Sequence, residues 1–153
     1  MSNFTIVKHA PKAPGLNLFG LGPGFRPSMG IKKIKKLLDR NSSWAKGRNL
    51  KEIKKMIQGS NIVVTVWYER DLVGFGRATT DGIFRGVLWD LVVEEKYQRN
   101  GIGSLILRSI LDNKLLSRVE KIYVMTTHCE NFYKNNYFKS TNDQKLMCLY
   151  YEK

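Results

Sequence analysis

The polarity of the chain changes period twice. Ile31, Ile34, Leu37 and Leu38 recur at helical spacing with Lys32, Lys33, Lys35 and Lys36 between them. Leu50, Ile53, Met56 and Ile57 repeat the pattern with Lys51, Lys54 and Lys55 outward. This spacing predicts two amphipathic helices, the second ended by Gly59. The period then shortens. Asn61–Tyr68, Leu72–Thr79 and Ile83–Val93 are β-branched and aromatic, and only Glu69–Asp71 and Thr80–Gly82 separate them. Connections this short predict antiparallel neighbours in a meander. Gly74 and Gly76 inside the second run predict a bulge or a close approach. A helix is expected from Ile102 to about Leu116, a short strand at Lys121–Met125, a brief helix and turn in ENFYKNNYF, and a last strand at Lys145–Tyr151. Residues 1–28 are rich in Gly and Pro. Phe4 and Ile6 allow an edge strand, and the remainder reads as a surface segment or partly mobile arm. The expectation is one α+β domain over residues 29–153, with a central mixed β-sheet flanked by helices, preceded by a partly irregular extension over 1–28.

The densest signal is Leu88–Ser109. An apolar run interrupted only by Asp90 leads through a polar turn with Gly101 and Gly103 into the Ile102, Leu105, Ile106, Ile110 helix. The first amides of a helix have no internal partner, and its dipole favours negative charge there. Glycine lets the backbone approach a phosphate closely. Gln98–Ser104 is therefore the candidate site for a phosphate-bearing ligand. A dinucleotide fingerprint would need a third glycine where Ile106 stands.

Charge and composition narrow the field. The net charge is +13, and residues 1–59 carry 13 Lys/Arg against Asp39 and Glu52. That favours polyanions, acidic partners or a phosphorylated cofactor, and weighs mildly against a lysine-rich peptide substrate. The helix pair lacks base-stacking aromatics on its polar faces. Its lysines read as solvated faces, and a nucleic-acid partner is not expected. Two cysteines and two histidines give no metal-ligand spacing. No apolar run approaches the length of a transmembrane helix, and no signal-peptide pattern opens the chain, so a cytoplasmic protein without a membrane partner is expected.

VVEEKYQRNGIGSLIL resembles motif A of the GNAT N-acetyltransferase superfamily, a strand followed by Gln/Arg-x-x-Gly-x-Gly/Ala and a helix. NFYKNNYF resembles the family's motif B, and the element order from residue 30 onward is similar to the GNAT order. LVGFGRATTDGIFRGVLWDLVV and RPSMGIKKIKKLLDRNSSWAKGR further resemble the plant plastid and cyanobacterial branch described as serotonin (arylalkylamine) N-acetyltransferases.

The resemblance implies acetyl-CoA as co-substrate and no metal. The acceptor would be a primary amine such as an arylalkylamine, attacking the thioester directly in a ternary complex; protein lysines or N-termini are one alternative, and a basic nucleic-acid-binding module on a degenerate GNAT scaffold is the alternative of another class. Gln98, Arg99, Asn100, Gly101, Ile102, Gly103 and Ser104 would hold the pyrophosphate. Leu91, Val92 and Val93 would lie along the pantetheine arm, with a backbone N–H polarising the thioester carbonyl. Asn131 of motif B joins the cofactor set. Tyr133 matches the motif B tyrosine that acts as general acid.

The base has three candidates. Asp90 is the one ionisable residue in the apolar run Leu88–Val93, and it either handles the amine's proton or anchors nearby groups such as Arg77. His128 and a water chain are the other two. Trp44, between the basic helices, either packs against an aromatic amine or plugs the fold. Two positions depart from the family pattern. Thr126 and Thr127 stand where Asn or Asp is common, and Tyr137 replaces a glycine, so Asn136 is expected to take the turn there. Monomer and homodimer both fit the sequence.

Overall fold

The computed structural model describes residues 3–152. Five strands, β1 (Phe4–Lys8), β2 (Ile62–Tyr68), β3 (Asp71–Thr80), β4 (Arg85–Val93) and β5 (Lys121–Val124), form one sheet in sequence order. β1 to β4 are antiparallel neighbours and β5 joins β4 in parallel, so the sheet is mixed. Helices α1 (Pro14–Phe19), α2 (Gly30–Asn41) and α3 (Leu50–Gln58) cover one face. The other face carries α4 (Ile102–Leu111), with the short α5 (Glu130–Lys134) adding Tyr133 to that core. β2 is buried from Ile62 to Trp67 because both faces are covered, which is why its sequence is a continuous apolar run rather than an alternation.

The basic helices form as their spacing predicts. Ile31, Ile34, Leu37 and Leu38 of α2 and Ile53 and Ile57 of α3 face the sheet. α3 opens with a capping box in which the Asn49 side chain accepts from the Glu52 amide and Glu52 accepts from the Asn49 amide. The glycines of β3 serve close packing. A Cβ on Gly74 would lie 2.8 Å from Ile106 Cδ1, and one on Gly76 2.6 Å from Ile106 Cγ2. α4 lies directly on the strand there.

Three expectations are corrected. The edge strand at Phe4 and Ile6 forms as β1, paired along β2, but the stretch after it, read as a surface arm, is part of the domain: Ala13 and Leu16 are buried against α2 and α3. Its local composition carries no trace of those distant partners. α4 stops at Leu111, and Leu116 reaches the core from the turn that follows. Lys145–Tyr151 forms no strand. Leu146, Met147, Leu149, Tyr150 and Tyr151 are 72–88% exposed, and among the described residues β5 pairs only with β4. Tyr123 and Gln144 touch at 2.9 Å beside β5, but no backbone ladder follows, and strand propensity without a ladder leaves the segment irregular.

Candidate active site

The site is built on a break in β4. Gly74 and Phe75 pair with Val93 and Val92, whereas Arg77 and Ala78 pair with Trp89 and Leu88. Asp90 and Leu91 thus share the single residue Gly76, a β-bulge with Asp90 at φ 50°. The bulge turns two successive side chains to the α2–α3 face. Trp89 donates to Thr79 Oγ1 at 2.8 Å and lies under the Arg77 guanidinium. Asp90 accepts from Arg77 Nε at 2.8 Å, Arg48 Nη1 at 3.2 Å and Trp44 Nε1 at 3.3 Å. Both carboxylate oxygens are engaged, and two guanidiniums face one carboxylate. Beyond the bulge Leu91 and Val93 belong to the α4 core, while Val92 is buried on the opposite side.

β4 and β5 part at the same place. Their ladder ends at Leu88–Val124, so Trp89–Val93 has β3 on one edge and no strand on the other. The open edge leads straight into the glycine turn. Gln98 Nε2 donates to Val93 O at 3.0 Å, and Asn100 Nδ2 donates to Tyr97 O and Gln98 O, so both side chains fix the turn rather than project from it. Arg99 (φ 61°) and Gly101 (φ 78°) are left-handed and exposed. Gly101 caps α4 without a side chain, leaving the amides of Ile102, Gly103 and Ser104 free of side-chain capping. Ile102 itself is core, so only its backbone is available to a ligand. A Cβ on Gly103 would stand 3.3 Å from Phe132, which sets α5 over the start of α4. A turn with three free amides, two left-handed residues and an open strand edge beside it fits an extended, phosphate-bearing ligand.

α5 brings Tyr133 next to this end of α4. The ring is 9% exposed and wedged edge-to-face between Phe132 and Phe138 at 5.0 and 5.6 Å. Its hydroxyl has no hydrogen-bond partner among the described residues. Burial, with a smaller contribution from Cys129, pushes its pKa up to about 12. Tyr133 lines a cavity of about 180 Å³ with β5, Thr126 and Phe138. Asn131 is exposed on the same helix.

A larger cavity, about 430 Å³, lies between the end of α2 and the glycine turn, lined by Asp39, Arg40, Ser42, Lys46, Glu95 and Gln98. Asn41 ties its walls together, accepting from the Glu95 amide at 2.9 Å and donating to Glu94 at 3.3 Å. Trp44 is 59% exposed and so is not a plug. His128 is exposed and makes no side-chain hydrogen bond among the described residues. Thr126 Oγ1 accepts from the Cys129 amide at the start of α5, while Thr127 stays exposed. Tyr137 takes the left-handed turn itself at φ 69°, and Asn136 instead donates to Phe132 O. The strain of the turn therefore sits on Tyr137, where the resemblance would have a glycine. Sequence reading missed Arg48 and Asn41. They reach the site across 42 and 54 residues, and no local pattern marks them.

The model of the acetyltransferase (GNAT) family matches residues 31–141. An uncharacterized N-acetyltransferase ycf52 from Gracilaria tenuistipitata var. liui is 30% identical across 72% of the chain and 63% of its own length, so the chain spans under two thirds of that relative. The GCN5-related N-acetyltransferase 1, chloroplastic, of Arabidopsis thaliana is 32% identical over 43% of the chain and 34% of its own length. A GNAT-family acetyltransferase structure from Streptococcus pneumoniae TIGR4 superposes with a TM-score of 0.72 at 20% identity, covering 98% of this chain and 99% of that one. At that identity the structural match establishes the fold.

Proposed function

The chain belongs to the GNAT acetyltransferase family, and from that premise we propose that it transfers the acetyl group of acetyl-CoA to a primary amine, by direct attack in a ternary complex. The observation that carries this reading is the continuity of the open Trp89–Val93 edge with the uncapped start of α4. An extended amide-containing arm pairs with a free strand edge, and a pyrophosphate sits on free helix amides. Gly101–Ser104 supply the amides, and Arg99 supplies a positive side chain beside them. Gln98 and Asn100 act by fixing the turn. A backbone N–H of Leu91–Val93 polarises the thioester carbonyl and stabilises the oxyanion formed when the amine attacks.

Tyr133 is the proposed acid at the leaving sulfur. A phenol at about 12 stays protonated throughout the physiological range. Complete transfer to a thiolate of ordinary pKa is uphill by roughly 5 kcal/mol, so Tyr133 acts chiefly as a hydrogen-bond donor to the departing thiolate. Asp90 is a positioning residue, since both of its oxygens are engaged. The excess positive charge of Arg48 and Arg77 disfavours a bound ammonium and favours the neutral, attacking amine; the surplus proton its nitrogen carries after attack leaves through water, and one N–H stays on the amide.

The acceptor is proposed to be an arylalkylamine such as serotonin. Support comes from the exposed indole of Trp44 beside Asp90 and from the positive surroundings, which suit a lysine-rich peptide poorly. The Arabidopsis relative is named chloroplastic, which supports a plastid-type setting over the cytoplasmic one expected from sequence. Thiol release from acetyl-CoA, measured against serotonin, tryptamine, spermidine and lysine or N-terminal peptides, tests the assignment. Turnover with the aromatic amines is expected. Turnover confined to peptides would move the acceptor class to protein, and thiol release with none of them would sink the enzymatic reading.

A further inference from the structure

The most exposed apolar cluster outside the C-terminal segment lies far along the chain from the glycine turn. α1 ends with Leu18 (62% exposed) and Phe19 (70%), and Met29 (61%) precedes α2. Between them a small hairpin is closed by the Leu21–Pro27 bridge and by the Gly22 amide donating to Arg26 O at 2.9 Å. Its tip presents Phe25 at 85% exposure. Ser28 and Gly30 amides both donate to Gly20 O, which brings the end of α1 and the start of α2 together, so the four apolar residues sit on one closed loop.

Two features separate this cluster from chance exposure. Phe25 (φ 57°) and Met29 (φ 54°) are both left-handed, a conformation that large side chains rarely adopt, and each is held there with its side chain in solvent. Strain that buries nothing and fills no core calls for another use. The second feature is charge. Residues 3–38 contain seven Lys/Arg and no Asp or Glu. Arg26 adjoins Phe25, and the base of the hairpin meets Trp67, whose ring also lies under the Lys33 ammonium at 5.5 Å. Lys33 in turn donates to Arg70 O.

Apolar side chains on an exposed loop, with Arg26 in the hairpin and Lys32 and Lys33 in the first turn of the adjoining α2, match the chemistry of an anionic bilayer surface. The apolar tips enter the headgroup boundary while the cations meet lipid phosphates. A nucleic acid would use the cations and could stack a base on Phe25, but it offers nothing to the aliphatic Leu18 and Met29, which suit a headgroup boundary. We infer that the 18–29 loop is a peripheral docking foot for anionic lipid membranes, resting on the surface and crossing nothing; no helix among the described residues is long and apolar enough to cross.

The test is co-sedimentation of the full chain with vesicles of phosphatidylcholine alone and of phosphatidylcholine mixed with phosphatidylglycerol. Binding is expected to the mixed vesicles only, and to fall as salt rises. The Phe19→Glu/Phe25→Glu variant should bind at least ~tenfold more weakly, with turnover unchanged. Phe25→Gly supplies an independent readout: it relieves the backbone, so its melting temperature should rise while vesicle binding falls. Failure to bind either vesicle, binding unaffected by the glutamates, or loss of stability in Phe25→Gly with vesicle binding retained would each overturn the proposal.

Discussion

Arg77 Nε donates to Asp90 Oδ2 at 2.8 Å across the register break between β3 and β4, with side chains only 13% and 3% exposed. The pair turns a local irregularity into a fixed feature. In a regular strand Asp90 would alternate with Trp89 and enter the apolar α4 core; the bulge places it instead with its cations.

Asp90→Ala should therefore destabilise the protein by about 3 kcal/mol, because it leaves Arg77 buried without its counter-charge. Asp90→Asn should lose less, since Asn tolerates the left-handed backbone and keeps a hydrogen-bond acceptor. Denaturant titrations of the two variants compare these costs. The pH–rate profile of Asp90→Asn should keep its shape; loss of the acidic limb, the rise of rate with pH that a general base imposes, would return Asp90 to the role of proton acceptor.

The local devices of this fold were legible in the sequence, and the long-range ones were not. The helical spacing from Ile31 to Leu38 and the polar turn after Val93 each specify an element within a dozen residues. The position of Asp90 in its strand marked it as unusual, but its partners Trp44 and Arg48 lie more than forty residues away. Leu16 shows the same limit. It sits in a Gly- and Pro-rich stretch that reads as an arm, yet it is fully buried because α2 and α3 close over it. Lys145–Tyr151 errs the other way, with strand-like residues and no edge that pairs them.

Tyr133→Phe removes the hydroxyl while keeping the ring between Phe132 and Phe138. The turnover rate should fall about 100-fold, with acetyl-CoA affinity nearly intact. Parallel steady-state kinetics and calorimetric titration separate the two effects. An unchanged rate would remove Tyr133 as the donor to the leaving thiolate.

Ser104→Pro deletes one amide donor in the first turn of α4, where proline is tolerated. If those amides hold the pyrophosphate, acetyl-CoA affinity should drop at least ~tenfold, the worth of a hydrogen bond to a charged group. Far-UV circular dichroism should be unaltered. Equal affinity in the two proteins would move the anion site elsewhere.

His9 makes stability pH-dependent. Its ring Nε2 lies 2.8 Å from Thr65 Oγ1, which also accepts from Trp67, and burial pushes its pKa down to about 4. The unfolded chain titrates near 6.5, so between these values the unfolded state binds more protons than the folded one. Stability is whole above about 6.5 and declines as pH falls to about 4, by about 3 kcal/mol in total. His9→Gln should lack this part of the acid slope in denaturant midpoints taken across that window. An identical slope in both proteins would place the acid sensitivity elsewhere.

The most direct measurement follows the acetyl group itself. Isotopically labelled acetyl-CoA is mixed with the protein and an aromatic amine, and the amine and the intact protein are weighed by mass spectrometry during turnover. Direct transfer at the β4 edge predicts label on the amine nitrogen and none held by the protein. Labelled protein appearing first, for instance at the exposed Cys129, or no labelled amine at all, would contradict the account.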